Sequence, residues 1–185
     1  MPDDSCPWKN DIGDVLLTEG QIRQRVQELA AEVSADYAGQ HLVLVVALKG
    51  AVVFAADLMR ALQVPLCLDF VAASSYGSGT VSSGEVRVGY ETCGDLKGRH
   101  VLVVEDIVDS GRTLSVLVAS LRSRGAASVK TCCLLDKPSR RAVDFRPEYV
   151  GFEIPDHFVV GYGLDYAERY RSLPFVAVLR PEAYQ

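Results

Sequence analysis

Apolar positions recur along this chain in two rhythms. After Thr18, the residues Ile22, Val26, Leu29, Ala30, Val33 and Tyr37 return at helical spacing, which predicts a first helix with Thr18 as N-cap and Gly39 at its end. His41 to Leu48, HLVLVVAL, is a short unbroken apolar run and predicts a strand buried on both faces. Lys49-Gly50 marks a turn, Ala51 to Leu62 a second helix, Pro65 its break, and Leu66 to Ala73 the next strand. Ser74 to Gly84, SSYGSGTVSSG, has little to bury and predicts a mobile surface loop. Glu85 to Glu91 alternates as EVRVGYE, like a half-exposed strand. Beyond a turn over Gly94 to Gly98, Val101 to Val104 predicts a second fully buried strand, Thr113 to Arg124 a helix, and Val129 to Leu135 a strand. Shorter strands are expected near Tyr149 to Phe152, His157 to Val160 and Phe175 to Leu179. Met1 to Leu17 carries no pattern that predicts an element. Strands alternating with helices point to an α/β fold, a mostly parallel twisted sheet flanked by helices.

Composition narrows the class. The chain has 185 residues, 49% hydrophobic and 23% charged, which suits one globular domain. A net charge of −5 and a pI near 5.2 count against a general nucleic-acid partner. No apolar run is long enough to span a bilayer, and MPDDSCPWKN begins acidic without an apolar signal core, so a cytoplasmic location is expected. The five cysteines have no zinc-site spacing, and adjacent Cys132 and Cys133 should point to opposite faces of a strand as reduced, buried thiols.

Chemistry concentrates in Val101 to Leu114, VLVVEDIVDSGRTL. Three carboxylates, Glu105, Asp106 and Asp109, follow a buried strand with no Lys or Arg between them. They repel one another unless protonated, solvated or met by donors. Ser110-Gly111-Arg112-Thr113 then offers N–H groups and hydroxyls where a helix begins, a place that binds anions. A ligand with hydroxyls for the acids and a phosphate for the turn fits both demands, as a sugar phosphate with a free vicinal diol does. Mg2+ would offset the acidity where a second phosphate group approaches. The plainer alternative is a solvated loop decorated with acids; the placement between buried strand and helix counts against it.

VEDIVDSGRTL resembles the phosphoribosyl-pyrophosphate motif of type I phosphoribosyltransferases, in the form found in hypoxanthine-guanine phosphoribosyltransferases. The resemblance extends to the Leu48-Lys49-Gly50 turn, Ser75-Tyr76, Leu135-Asp136-Lys137, and PDHFVVGYGLDYAERYR from Pro155 to Arg171. It implies a single domain over residues 1–185, with a mobile loop at about 74–84 and a small hood formed by the N-terminal segment and part of the last third.

The resemblance also implies roles. Glu105 and Asp106 would hold the ribose hydroxyls, and Asp109 would be the catalytic residue that accepts the purine proton. Ser110, Gly111, Arg112 and Thr113 would wrap the 5′-phosphate together with Asp109. Lys137 would donate to the purine 6-oxo group, Phe158 would stack on the base, and Val159 would offer its backbone, with Asp165 nearby to read the base edge. Lys49, Gly50 and Arg171 would meet pyrophosphate, at a turn that in the family often holds a cis non-proline peptide. Glu105, Asp106 and Asp165 would face Mg2+, and Ser75 and Tyr76 belong to a loop that closes over the reacting centre. Read without the resemblance, Lys137 is a snorkelling surface lysine, Phe158 a core residue, and Asp165 and Arg171 solvated charges.

The implied activity is Mg2+-dependent transfer of a phosphoribosyl group to a 6-oxopurine in purine salvage, hypoxanthine and guanine unranked, by a homodimer or homotetramer with no nucleic-acid or membrane partner. The alternative is a regulator that keeps the fold, senses phosphoribosyl pyrophosphate and binds nucleic acid; it would need a basic face or an added domain.

Overall fold

The structure, a computed structural model, describes residues 8–75, 86–91 and 95–184. In chain order the elements are β1 (Ile12–Leu17), α1 (Glu19–Asp36), β2 (Leu42–Leu48), α2 (Val52–Ala61), β3 (Leu66–Ser75), β4 (Val86–Glu91), β5 (His100–Val108), α3 (Arg112–Ser123), β6 (Ser128–Asp136), β7 (Tyr149–Glu153), β8 (Val159–Val160) and β9 (Val176–Leu179). Short 3-10 turns cover Pro138–Arg140 and Pro181–Ala183.

Helix α1 starts where its cap allows. Thr18 Oγ1 accepts from Gln21 N at 3.3 Å, and Gln21 Oε1 accepts from Thr18 N at 2.9 Å, a reciprocal capping box. Its buried stripe is Ile22, Val26, Leu29, Ala30 and Val33, all of them positions the periodicity picks out.

The main sheet has the order β4-β3-β2-β5-β6-β7. Strands β3, β2, β5, β6 and β7 run parallel, and β4 is an antiparallel edge. The central strands β2 and β5 bury both faces, as continuous Val/Leu runs require. One face, with Leu44, Val46, Leu102, Val104 and Cys132, packs under α1 and α2. The other, with Val43, Val45, Val101, Val103 and Cys133, packs under α3. Cys132 and Cys133 thus lie on opposite faces, and burial pushes both thiols above their ordinary range. A second sheet, β1-β9-β8, is antiparallel and covers Val160, Tyr170, Leu173 and Ala177; we call it the hood.

The topology places the site. From β2 the chain crosses through α2 to β3 on one side; from β5 it crosses through α3 to β6 on the other. The carboxyl ends of the adjacent strands β2 and β5 therefore form the switch point of the sheet, where open α/β sheets bind ligands.

Three expectations change. Ser74 and Ser75 are not loop but the end of β3, paired with Arg87 and Val86 of β4; Tyr76 and the rest of the expected loop to Gly84 lie outside the described residues. Glu105 and Asp106 belong to no turn: β5 runs on to Val108, with Ile107 opposite Leu135 and Val108 opposite Asp136. The N-terminal segment, patternless in sequence, supplies β1.

Candidate functional site

Two close approaches build the floor of the switch point. The Leu48–Lys49 peptide is cis. Gly50, which follows, lies so near Asp106 that a Cβ there would fall 1.6 Å from Asp106 Oδ2. Gly163 of the hood in turn lies against Gly50, where a Cβ would sit 2.1 Å from the Gly50 carbonyl oxygen. At Gly163, with backbone in the way and a φ of 98°, only glycine fits; at Gly50 a Cβ would push the Asp106 carboxylate out of place.

Glu105 and Asp106 face different spaces, as neighbours on a strand do. Glu105 lines a cavity of about 200 Å³ with Asp109, Ser110, Gly111 and Thr113. Asp106 lines one of about 420 Å³ with Asp109, Lys137, Phe158, Val159 and Asp165. Asp109 belongs to both. Burial, and then the Asp106 charge, push the Glu105 carboxyl well above the usual carboxylate range. Burial also raises Asp106, against bonds from Glu105 and the Ile107 N–H at 2.9 Å and the more distant Arg171 charge. The pair is short of cations and donors, which a ligand can bring.

On the smaller cavity, Gly111 caps α3 with a left-handed φ of 78° and no side-chain acceptor. Ser110 Oγ accepts from Arg112 N at 3.4 Å, and the other first-turn N–H groups remain for an anion. Arg112 begins α3 with its side chain exposed and does not line the cavity.

The turn is braced from β6. Lys137 N donates to Val108 O at 2.9 Å, Ala142 N to Ser110 O at 3.0 Å, and Arg141 Nη1 to Asp109 O at 2.7 Å. Arg141 also forms a buried ion pair with Asp136 through Nη2. A Cβ on Gly111 would meet Arg141 Cδ at 3.0 Å, so the brace and the turn are fitted to each other.

On the larger cavity, Lys137 is buried at 7% exposure, not snorkelling. Its Nζ donates to His157 O at 2.6 Å and lies 3.8 Å from Asp156 Oδ1, leaving donor capacity toward the cavity. Phe158 is 44% exposed, not core. One side of it stacks on Tyr184, with centroids 5.2 Å apart, and Tyr166 meets it edge-on at 5.7 Å. Val159 is buried in β8. Arg140 bridges the cavity's acids, with Nε 3.2 Å from Asp109 Oδ1 and Nη1 3.5 Å from Asp156 Oδ2.

Beside these lies a charged cluster. Arg171 Nη1 donates to Gly163 O at 2.8 Å, and Nη2 lies 2.8 Å from Asp165 Oδ1 and 3.3 Å from Glu168 Oε2. Lys49 Nζ reaches Glu168 Oε1 at 3.0 Å. Arg171 also borders a larger cleft of about 580 Å³ between α1 and α2. That cleft's acids Glu19 and Asp57 are already paired with Arg23 and Arg60, so the demand for a ligand sits at the carboxylates of β5.

The structure thus brings Glu105, Asp106, Asp109, Ser110, Gly111 and Thr113 to one strand end, with Lys137, Phe158, Val159 and Asp165 across the cavity and Lys49, Gly50 and Arg171 adjoining. Sequence reasoning missed Asp136, Arg140, Arg141, Asp156, Gly163 and Glu168. Asp136, Asp156, Gly163 and Glu168 lie inside stretches that carry the resemblance, and the neighbouring charges RR in KPSRR were the signal for Arg140 and Arg141. Carboxylate oxygens are the donors Mg2+ takes, and a divalent ion would relieve the strained Glu105–Asp106 pair. Among the described residues no three His, Cys, Asp or Glu side chains close on one point able to hold a metal.

Comparison with known proteins agrees. A family described as "Phosphoribosyl transferase domain" matches residues 14–167. The chain is 50% identical to hypoxanthine-guanine phosphoribosyltransferase of Bacillus subtilis, covering 96% of this chain and 98% of that one. It is also 50% identical to the "Bifunctional protein TilS/HprT" of Listeria monocytogenes, of whose length it spans 27%. A crystal structure of a hypoxanthine phosphoribosyltransferase from Staphylococcus aureus superposes with a TM-score of 0.93 at 43% identity, covering 99% of this chain and 100% of that one. A hypoxanthine-guanine phosphoribosyltransferase structure from Bacillus anthracis gives 0.84 at 44% identity over 91% and 99%. The chain, with the strand-end carboxylates and the braced turn in place, belongs to the phosphoribosyltransferase family, in its hypoxanthine-guanine branch.

Proposed function

We propose that the protein transfers the 5-phosphoribosyl group of phosphoribosyl pyrophosphate to a 6-oxopurine, hypoxanthine or guanine, giving IMP or GMP and pyrophosphate in purine salvage. The observation that carries this is the position of Asp109, shared by the cavity of the anion-binding turn and the cavity of Lys137 and Phe158. A group between a sugar phosphate and a base can serve both.

Ser110, Gly111 and Thr113, with the first-turn N–H groups of α3, hold the 5′-phosphate. The ribose 2′- and 3′-hydroxyls donate to Glu105 and Asp106, whose proton affinity makes them strong acceptors. Purine N9 attacks C1 as the bond to the pyrophosphate oxygen breaks, and the N7 proton passes to Asp109. The two acids beside the ribose also favour its developing positive charge. Lys137 only donates, so it selects a 6-oxo over a 6-amino group. Phe158 offers the base one ring face while Tyr184 supports the other. The Val159 backbone and Asp165 sit where the base edge passes. Lys49, the Gly50 N–H and Arg171 take the pyrophosphate. Mg2+, with Glu105, Asp106 and Asp165 as its nearest carboxylates, would offset the charge of the leaving group. Ser75 ends β3 where the loop expected to exclude water from the sugar cation begins, and Tyr76, in that loop, is outside the described residues.

A cytoplasmic homodimer or homotetramer completes the proposal. Among the described residues no helix is long and apolar enough to cross a membrane. The net charge of −5 gives a nucleic-acid-binding regulator no support. The deciding experiment mixes the protein with phosphoribosyl pyrophosphate, Mg2+ and hypoxanthine, guanine, xanthine or adenine in turn, following absorbance. Turnover of 6-oxopurines and not adenine is expected; no turnover with any 6-oxopurine overturns the assignment.

A further inference from the structure

Glu168 spans two cations. Its Oε1 accepts from Lys49 Nζ at 3.0 Å and its Oε2 from Arg171 Nη2 at 3.3 Å. Its backbone N–H is held by Asp165 Oδ2 at 2.9 Å, while Asp165 Oδ1 lies 2.8 Å from the same Arg171 Nη2. The side chains of Lys49 and Glu168 are 68% and 65% exposed. Ion pairs so exposed contribute little to stability, so stability is a weak reason for the arrangement. Yet the backbone is shaped to make it: Ala167 and Glu168 have φ of 51° and 62°, left-handed conformations that cost non-glycine residues energy. A two-oxygen anion bridging an ammonium and a guanidinium makes the contacts a phosphate group would make.

We propose that Glu168 is a built-in stand-in for pyrophosphate: its carboxylate occupies the Lys49–Arg171 pair in the ligand-free protein and must be displaced when pyrophosphate binds. The role rests on the pyrophosphate assignment of Lys49 and Arg171 made above. It has two consequences. The cations are never left without a partner, since the carboxylate returns as pyrophosphate leaves. Affinity for pyrophosphate is lowered by the competition, which speeds release of that product. Asp165 stays on Arg171 during the exchange and keeps the guanidinium in place.

The test titrates inorganic pyrophosphate with MgCl2 into the wild type, Glu168→Gln and Arg171→Gln by calorimetry at about 0.15 M salt, where charges beyond roughly 8 Å are screened. Glu168→Gln should bind pyrophosphate about 3- to 10-fold more tightly, with a lower dissociation rate in stopped flow and an unchanged Tm. Glu168→Asp keeps the charge with less reach and should fall between. Arg171→Gln should bind at least about 10-fold more weakly. Wild-type binding by Arg171→Gln would show that pyrophosphate binds elsewhere, and the assignment itself fails. Weak binding by Arg171→Gln, with unchanged or weaker binding by Glu168→Gln, would overturn the displacement role alone, because Glu168 would then be holding the cations in position.

Discussion

The two ends of the main sheet handle charge in opposite ways. At the amino end, Asp36 accepts from Lys130 at 2.8 Å and from Tyr149 OH at 2.5 Å, and Lys130 lies over the rings of Tyr37 and Tyr149 at 5.4 and 5.3 Å. Glu148 accepts from both the backbone N–H and the hydroxyl of Thr131 at 2.7 Å. Each acid there has donors from the same chain, and the bond from Lys130 holds Asp36 below the usual carboxylate range. At the carboxyl end, Glu105 and Asp106 are half-buried side by side, and desolvation pushes their carboxyls upward. The amino end is complete without a ligand; at the carboxyl end the Glu105–Asp106 pair is left short of donors and cations. Pairing marks the end that stabilises the fold, and frustration marks the end that binds.

The largest break of this contrast is at Asp109. Asp109→Asn keeps the shape and removes the proton acceptor, so kcat should fall about 10²- to 10⁴-fold. The Kd for phosphoribosyl pyrophosphate should stay within about 3-fold, since the turn's N–H groups are untouched. Single-turnover kinetics beside equilibrium binding separates the two. Equal losses in both would make Asp109 a ligand-holding residue and not the base.

A smaller effect is expected from the brace. Arg141→Met removes a charged donor from Asp109 O and leaves Asp136 buried without its partner. The KM for phosphoribosyl pyrophosphate should rise about 10- to 100-fold, from the roughly 1.5–3 kcal/mol of a hydrogen bond to a charged group, with a smaller rise for the purine. Arg141→Lys, which keeps the charge but not the fork, should restore only part. An equal rise for both substrates, tracking a lower Tm, would reduce Arg141 to a fold-stabilising role.

The reach of sequence reading follows from these same contacts. Strands β2 and β5 are legible because both faces are buried, so every residue from Leu42 to Ala47 and Val101 to Val104 must be apolar. Strand β1 is not, because register shifts between Ile12 and Val15 and between Val15 and Leu17 break its period of two. Glu105 and Asp106 are legible as chemistry but not as strand, since polarity is the usual sign that a strand has ended. The family motif names the residues proposed to touch ligand. It is silent on those that hold them: Gly163 against Gly50, Arg141 on Asp109 O, and Glu168 at positive φ are long-range or backbone facts, without a local pattern.

The smallest effects are the sharpest comparison, because their signs differ. Asp36 has a lowered folded carboxyl, so it binds protons less readily than in the unfolded chain. Its stabilisation is present above the unfolded value near 3.9 and is lost as pH falls through the lower folded value. Glu105 has a raised carboxyl, so the folded state binds its proton more tightly than the unfolded chain. Stability then declines as pH rises from the unfolded value near 4.3 through the higher folded one. At neutral pH, without Mg2+ or ligand, Asp36→Asn should therefore lower Tm and Glu105→Gln should raise it. For a chain of this size each shift should be about 2–4 °C per kcal/mol, with Asp36 at the low end because its side chain is 47% exposed. Asp36→Asn should leave kcat and both KM values within about 2-fold, while Glu105→Gln should weaken phosphoribosyl-pyrophosphate binding as it gains stability. Thermal melts of both variants from acid to neutral pH decide the matter. If Glu105→Gln melts below the wild type at neutral pH, the carboxyl end is as internally satisfied as the amino end, and the distinction between paired and frustrated charge no longer locates the site.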